Sequence, residues 1–330
     1  MTAPKRFIDV DDKKGTSVWL EPIGGLPRVR HRYEKESLHA INAAVASRRP
    51  LLVRGEPGTG KSQLARAAAK LLGREFVWKV MDAQARVSDL FYAFDAVERL
   101  AQAQVAGAAY PGNPNAVKAA LGERKFIEPG PLWWAFDAAR AKAWPKELEE
   151  SAEPREVTPY VVLIDEIDKT DPSVPNGLLE ALGQGTFSVR RVTTVSQQPK
   201  RQPPPLVVIT TNNERELPSA FVRRCMVLHI ELPPAGPELV DWLVERGQTH
   251  FEALSAEVLT RAAKLVSRDH EIARGLGVTP PGQAEYLDLL RALAELADDE
   301  TSRRELLEQI ADFALKKHPD QRRVPGASDQ

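Results

Sequence analysis

The chain has 330 residues, of which 45 are Lys or Arg and 46 are Asp or Glu, so its formal net charge is −1. This balance excludes a uniformly basic nucleic-acid-binding protein. The hydrophobic fraction of 42% is close to the globular average, and the length favours about two domains. The single cysteine, Cys225, cannot form an internal disulfide, and no apolar run approaches the ~18 residues of a membrane span. We therefore expect a soluble, cytoplasmic protein.

Helices and short apolar strands alternate along the first 232 residues. Apolar residues recur at helical spacing from Glu34 to Ala46, and Pro50 to Arg54 predicts a buried strand. A second helix is predicted from Lys61 to Leu72, with Gly73 as its C-terminal stop. The other predicted strands are Phe76–Val80, Tyr160–Asp165, Leu206–Thr211 and Cys225–Leu232. This alternation predicts an α/β fold with a mostly parallel sheet between helices.

The proline-rich stretch from Pro233 to Pro237 interrupts this pattern, and only helical periodicity follows it, from Glu238 to Lys317. The polar segment from Lys146 to Glu156 is interpreted as an exposed loop. The predicted organisation is an N-terminal extension (1–32), an α/β domain (33–234), a small α-helical domain (235–318) and a disordered tail (319–330).

Residues 55–62 read Gly-Glu-Pro-Gly-Thr-Gly-Lys-Ser, a full G-x-x-x-x-G-K-S motif between a predicted strand and a predicted helix. Glycines let successive backbone N–H groups turn toward one anion at the positive end of the helix dipole. Lys61 can then reach the β- and γ-phosphate oxygens, and the Ser62 hydroxyl can coordinate Mg²⁺. The motif predicts binding of a nucleoside triphosphate.

Two carboxylates follow the apolar strand that begins at Tyr160. Because consecutive strand residues point to opposite sides, Asp165 is assigned to the metal and Glu166 to polarising the attacking water. An acidic cap at a strand end is the alternative for this pair. Asp168 and Lys169 are interpreted as capping and surface residues.

A second polar strand end and an arginine pair follow. Asn212 ends the strand Leu206–Thr211, and its amide could hold the water; the alternatives are Asn213 or a simple Asn-Asn turn. Arg223 and Arg224 precede the last strand, and in isolation such a pair is typical of solvated or salt-bridged surface charge.

In this order, these motifs resemble those of AAA+ ATPases, and more narrowly those of the MoxR-like, dynein-related branch. The resemblance covers residues 33–232 well and 235–318 only as a generic helical lid. It rests on the four motifs and on three further stretches: Ser88–Val97, Gly130–Ala135 and Asn176–Glu180.

The resemblance implies a P-loop NTPase with a five-stranded sheet whose phosphate-loop strand is central, an α-helical lid, and ATP and Mg²⁺ as ligands. It also implies homo-oligomers, as hexameric rings or spirals, with ATP between subunits. It assigns nucleotide binding to the loop and the start of its helix: Gly55, Pro57, Gly58, Thr59, Gly60, Lys61, Ser62 and Gln63. Lys61, Glu166, Asn212 (first sensor) and Arg224 (arginine finger, with Arg223 as its rival) become the catalytic set, and Ser62 and Asp165 the metal ligands.

The lid departs from the family pattern, because no Lys or Arg occurs from Gly275 to Leu290, where a basic second sensor is usual. Either Arg274 substitutes for this sensor, or the lid senses the nucleotide mainly through packing contacts.

Two insertions typical of the branch map to 86–127 and 185–205. The second contains Arg190, Arg191, Lys200 and Arg201 without an acidic residue. It could contact nucleic-acid phosphates, be a solvated hairpin, or dock an acidic partner surface.

The leading hypothesis is an ATP-hydrolysing remodelling or maturation chaperone that acts on a protein client or pairs with a von Willebrand factor A-domain protein, as the resemblance implies. The alternatives are a nucleic-acid-directed motor of restriction type and an ATP-gated assembly switch in a bacterial defence-like system. The preference for adenine rests on the resemblance alone.

Overall fold

The structure is a computed structural model, and it describes residues 7–145, 158–197 and 203–317. The predicted exposed loop at 146–156, the predicted tail at 319–330, Lys200 and Arg201 lie outside the described residues. The chain divides into a first unit (1–13, 35–54 and 62–228) and a second unit (14–34, 55–61 and 229–330). The three boundaries between the four segments expected from the sequence stay predictions.

Strands and helices alternate through the first unit, and helices dominate the second. The strands are β1 (Ser17–Leu20), β2 (Val29–Arg32), β3 (Leu51–Gly55), β4 (Glu75–Val80), β5 (Tyr92–Phe94), β6 (Ile127–Pro129), β7 (Tyr160–Asp165), β8 (Thr186–Val189), β9 (Thr193–Ser196), β10 (Leu206–Thr211) and β11 (Met226–Ile230). The helices are α1 (Val10–Lys13), α2 (Lys35–Ser47), α3 (Lys61–Leu72), α4 (Ser88–Phe91), α5 (Ala96–Ala109), α6 (Pro114–Ala120), α7 (Pro131–Phe136), α8 (Ala138–Ala143), α9 (Ser173–Gln184), α10 (Ser219–Val222), α11 (Pro237–His250), α12 (Ala256–Gly275), α13 (Gln283–Leu296) and α14 (Glu300–Leu315). Among the described residues, two 3₁₀ helices span Glu123–Phe126 and Ile167–Lys169.

The main sheet has five strands in the order β11-β3-β10-β7-β4. Strands β3, β10, β7 and β4 pair in parallel, with Ile209 of β10 opposite Leu52 of β3 and Ile164 of β7. This sheet confirms the predicted fold class. The expectation that the phosphate-loop strand is central is wrong: β10 is central, and it is the strand buried along its whole length.

The parallel arrangement explains where the site forms. Since β3, β7 and β10 run in one direction, their carboxyl ends meet at one edge of the sheet. That edge carries Asp165 at the end of β7 and Asn212 immediately after β10. The polar side chains at the end of a fully buried strand therefore lie at this edge of the sheet.

An aromatic cluster stabilises the first unit beside the sheet. Trp133 is fully buried, its ring centroid lies 4.8 Å from that of Trp144, and Trp134 is partly buried against the same core. The two tryptophans of α7 are therefore core residues, with Phe187 of the β8–β9 hairpin packed nearby.

The first insertion exposes several apolar side chains on α5. Helix α5 buries only Ala106, whereas Val97, Leu100 and Val105 are 79%, 65% and 60% exposed. Because such side chains gain nothing from contact with water, this face of α5 is available to another apolar surface.

The second insertion contains the hairpin β8–β9, and its basic character is partly neutralised. The Arg190 guanidinium lies 3.1 Å from a carboxylate oxygen of Glu123 and 4.0 Å from the ring centroid of Phe94. An acidic residue of the first insertion therefore supplies the charge that the hairpin's own sequence lacks.

In the second unit, helices α11 to α14 share one apolar core. The hairpin β1–β2 leads to Glu34, which accepts a 2.6 Å hydrogen bond from Arg246 of α11. The Arg246 guanidinium also lies 3.3 Å from the ring centroid of Trp242, so a nearly buried cation is both paired and stacked. No helix in the described residues is long and apolar enough to cross a membrane.

A histidine of the second unit makes the free energy of unfolding depend on pH. Burial, followed by the nearby His250 and Arg246, lowers the pKa of His31 from 6.5 to about 4. The folded state therefore keeps His31 neutral, while the unfolded chain binds a proton below pH ~6.5. This contribution is fully present above pH ~6.5 and is lost as the pH falls toward 4.

We expect the free energy of unfolding to fall between pH 7 and pH 5 by about 1–2 kcal/mol through His31, a value reduced because the side chain is only half-buried. Burial also lowers the pKa of the neighbouring His250 to about 4, so urea unfolding across this range measures the loss from both histidines, and His31→Gln should make the profile less steep. A variant profile parallel to that of the wild type would contradict this assignment.

Candidate functional site

Asp165, at the end of β7, is the centre of a hydrogen-bonded cluster in the first unit. The Ser62 hydroxyl lies 3.0 and 2.8 Å from the two carboxylate oxygens of Asp165. The Thr210 hydroxyl donates to the Oδ1 atom of the same carboxylate. The structure thus holds the Ser62 hydroxyl and the Asp165 carboxylate together.

Glu166, which directly follows Asp165, has a distinctive backbone conformation. Its φ and ψ of 59° and 47° are left-handed, which is uncommon for a residue with a side chain. Its backbone N–H donates to the Thr210 hydroxyl at 3.0 Å. Thr210 therefore links the Asp165 carboxylate and the Glu166 backbone to β10, a role that the sequence motifs did not indicate.

Both carboxylate oxygens of Glu166 have a donor. The Asn212 amide nitrogen lies 3.4 Å from Oε1, and the Lys169 ammonium lies 2.8 Å from Oε2. The carboxylate of Glu166 raises the pKa of Lys169 through this hydrogen bond and its charge. The structure thus brings Glu166, Asn212 and Lys169 together.

Asp168 does not lie at the surface. It is 2% exposed, and its Oδ2 atom accepts the backbone N–H groups of Asn212 and Glu214 at 3.1 and 2.9 Å. The interpretation of Asp168 as a surface residue is therefore wrong, because its buried carboxylate fastens the loop after β10. Lys169 is partly exposed, as expected, and its ammonium binds Glu166.

The phosphate loop itself lies in the second unit up to Lys61. The buried Lys61 ammonium donates to the carbonyl oxygens of Gly55 and Glu56 at 2.8 and 2.7 Å, and the Thr59 hydroxyl donates to Glu56 at 2.9 Å. Gly60 has a φ of +87°, and a Cβ there would meet no atom within 4 Å. The loop thus leaves open space beside backbone that only glycine adopts readily.

The remaining predicted loop residues differ in their surroundings. Pro57 is exposed, whereas the half-buried Gln63 accepts a 2.9 Å hydrogen bond from Arg66. A Cβ on Gly58, whose φ is +77°, would lie 2.4 Å from the Cβ of Ala284 at the start of α13. Gly58 is therefore needed for a close approach as well as for its conformation.

Two features of the second unit bear on the missing basic sensor. Arg274, in the last turn of α12, lies 3.7 Å from the Glu56 carboxylate of the phosphate loop. Ala284 packs at Gly58, as described above. Arg274 and Ala284 therefore both lie against the phosphate loop, and the two alternatives for sensing the nucleotide stay predictions.

The two candidate arginines follow α10 and are both exposed. Within residues 7–145, 158–197 and 203–317, neither Arg223 nor Arg224 has a side-chain hydrogen bond or ion pair. The salt-bridge interpretation thus has no partner among these residues, and both guanidinium groups are available to a ligand from outside the chain.

The donor set suits Mg²⁺ bound together with a nucleotide. Mg²⁺ takes oxygen ligands and is commonly held by one or two carboxylates plus substrate phosphates. Ser62 and Asp165 supply a hydroxyl and a carboxylate, and the described residues contain no group of three or more His, Cys, Asp or Glu side chains that could hold a metal. The residues present therefore fit a metal whose remaining ligands come from phosphate and water.

A comparison with protein families identifies the domain to which this site belongs. A family model described as the AAA domain of the dynein-related subfamily matches residues 50–225. No curated protein matches the chain. Among solved structures, a variant of RuvB from Thermotoga maritima is 15% identical, with a TM-score of 0.40, over 95% of this chain and 81% of that one. A candidate ATPase from Cytophaga hutchinsonii is 16% identical, with a TM-score of 0.37, over 84% and 79%.

Proposed function

We propose, since the chain belongs to the dynein-related subfamily of AAA domains, that it hydrolyses ATP with Mg²⁺ and uses this reaction to remodel a protein partner. The observation that supports hydrolysis is the cluster at the edge of the sheet. There, Asp165 binds the Ser62 hydroxyl while Glu166, its neighbour in sequence, is turned toward Asn212.

Each residue of the chain then has a distinct task. The backbone N–H groups of the phosphate loop and the Lys61 ammonium bind the β- and γ-phosphates, so Lys61 exchanges the carbonyls of Gly55 and Glu56 for phosphate oxygens. Ser62 and Asp165 hold Mg²⁺, which when bound neutralises charge on the phosphates. Glu166 accepts a proton from the attacking water, and Asn212 orients that water.

Lys61→Ala is expected to weaken Mg-ATP binding at least about 100-fold, because it removes two charge-assisted hydrogen bonds to phosphate oxygens. Calorimetric titration with ATP measures the change. Lys70→Ala, which alters an exposed lysine of the same helix, serves as the control. Unchanged affinity of Lys61→Ala would contradict the phosphate-loop assignment.

We further propose that the chain is a MoxR-like chaperone that acts on another protein, and two surfaces support this role. The apolar residues of α5, Val97, Leu100 and Val105, suit contact with another protein. The hairpin arginine Arg190 is already paired with Glu123, which weakens the case for binding nucleic-acid phosphates. We also propose that the chain forms a homo-oligomer, a hexameric ring or spiral, in which Arg224 reaches the ATP of a neighbouring subunit. We expect the protein in the cytoplasm.

Stimulation of the ATPase distinguishes the candidate functions. A protein client or a von Willebrand factor A-domain partner should raise the rate, whereas DNA and RNA should not. Stimulation by nucleic acid that falls steeply with salt would instead support the motor. ATP-dependent assembly without a protein-stimulated rate would support the assembly switch.

A further inference from the structure

The 3₁₀ turn after β7 places a cation on the proposed catalytic base. The Lys169 ammonium lies 2.8 Å from Oε2 of Glu166, and the Asn212 amide lies 3.4 Å from Oε1. Resting on the proposed function, we propose that Lys169 is an inhibitory positioning residue: it holds the Glu166 carboxylate in an ion pair that must open before Glu166 can activate water.

The backbone of this turn is firmly held. The Lys169 N–H donates to the Glu166 carbonyl at 3.1 Å, and the Thr170 hydroxyl donates to the Ile167 carbonyl at 2.7 Å. The buried Asp168 carboxylate ties the same turn to the backbone of Asn212. The backbone therefore fixes where the Lys169 side chain begins, and the left-handed conformation of Glu166 brings the two side chains together.

The ion pair, by contrast, can open. The side chains of Lys169 and Glu166 are 39% and 30% exposed, and pairs with this exposure contribute little to stability. Asp168 and Glu214 also attract the Lys169 ammonium, so it has acidic neighbours other than Glu166. Glu214 belongs to the loop that carries Asn212, and both residues are fastened to Asp168. A shift of this loop would therefore change both donors on Glu166 together.

The inhibition follows from competition for the same atoms. A general base must accept a hydrogen bond from the water that it deprotonates. An ammonium group already bound to Oε2 competes with that water, and breaking its bond adds to the barrier. Since an exposed pair of this kind is weak, the expected inhibition is about two- to fivefold in rate.

The test compares steady-state ATP hydrolysis by the full chain without any partner. Lys169→Met removes the charge but keeps the length of the side chain, and it is expected to raise kcat about two- to fivefold with an unchanged KM for ATP. Lys169→Arg keeps a cation and should restore most of the inhibition. Lys118→Met, an exposed lysine of α6, is the matched control and should leave the rate unaltered. A kcat for Lys169→Met at or below that of the wild type, with the same melting temperature, overturns the inference.

A double variant separates this inference from the proposed function. Lys169→Met combined with Glu166→Gln should be inactive, because the released side chain can no longer act as a base. If Glu166→Gln alone hydrolyses ATP normally, the assignment of the base is wrong, whatever Lys169→Met does. If Glu166→Gln is inactive and Lys169→Met gives no increase, only the inhibitory role of Lys169 fails.

Discussion

Glu166→Gln is expected to bind Mg-ATP as tightly as the wild type and to hydrolyse it at least about 100-fold more slowly. The amide keeps the shape of the side chain and its contact with Asn212, which lies 3.4 Å away, but it cannot accept a proton from water. Steady-state phosphate release measures the rate, and calorimetry measures the binding.

Glu216→Gln provides the matched control, because Glu216 is an exposed acid that follows the same loop after β10. It should hydrolyse ATP as the wild type does. Normal turnover by Glu166→Gln would transfer the role to another carboxylate. Asp168 would be tested first, although its buried position between two backbone N–H groups suits it better to holding the loop.

Arg224→Ala is expected to reduce hydrolysis about 10³- to 10⁵-fold while ATP binding is largely retained, as for an arginine finger supplied by a neighbouring subunit. A guanidinium is always charged and can form paired hydrogen bonds to phosphate oxygens, so alanine removes both. The exposed position of Arg224 makes a purely structural loss small. Phosphate release and calorimetry again separate rate from binding.

A mixing experiment tests whether Arg224 acts between subunits. When Arg224→Ala and Glu166→Gln are allowed to exchange subunits, some interfaces join an intact Glu166 to an intact Arg224, and part of the activity should return. If the mixture with Arg224→Ala stays inactive and a mixture with Arg223→Ala in its place recovers activity, the finger is misassigned by one residue. If neither mixture recovers despite co-assembly, a finger acting between subunits is unsupported.

Local patterns were sufficient for the elements that form the site. The predicted bounds of α3, β7 and β10 agree with the structure residue for residue. Each is bounded by a strong local signal: a glycine after α3, and a change from apolar to polar residues at the ends of β7 and β10. The roles given to Lys61, Glu166, Asn212 and Arg224 stay predictions.

Thr210 and Lys169 could not be placed from sequence. Strand order and register decide that Ile209 lies opposite Ile164, so the next residue, Thr210, falls beside Asp165. A threonine within an apolar strand was the only signal for it. For Lys169, the left-handed conformation of Glu166 sets the direction of the turn, and no residue type in this segment requires it.

The sequence by itself determined the family, the α/β architecture and the residue types of the phosphate loop and strand ends, because these depend on periodicity and on motifs read over a few neighbouring positions. The tertiary structure alone decided that β10 is the central strand, that Asp168 is buried, and that Lys169 forms an ion pair with the carboxylate of Glu166. The physical reason is that these contacts join β7 and its turn to β10 and its loop, more than 40 positions apart in the chain. Their geometry follows from sheet order and register, which local propensities leave open.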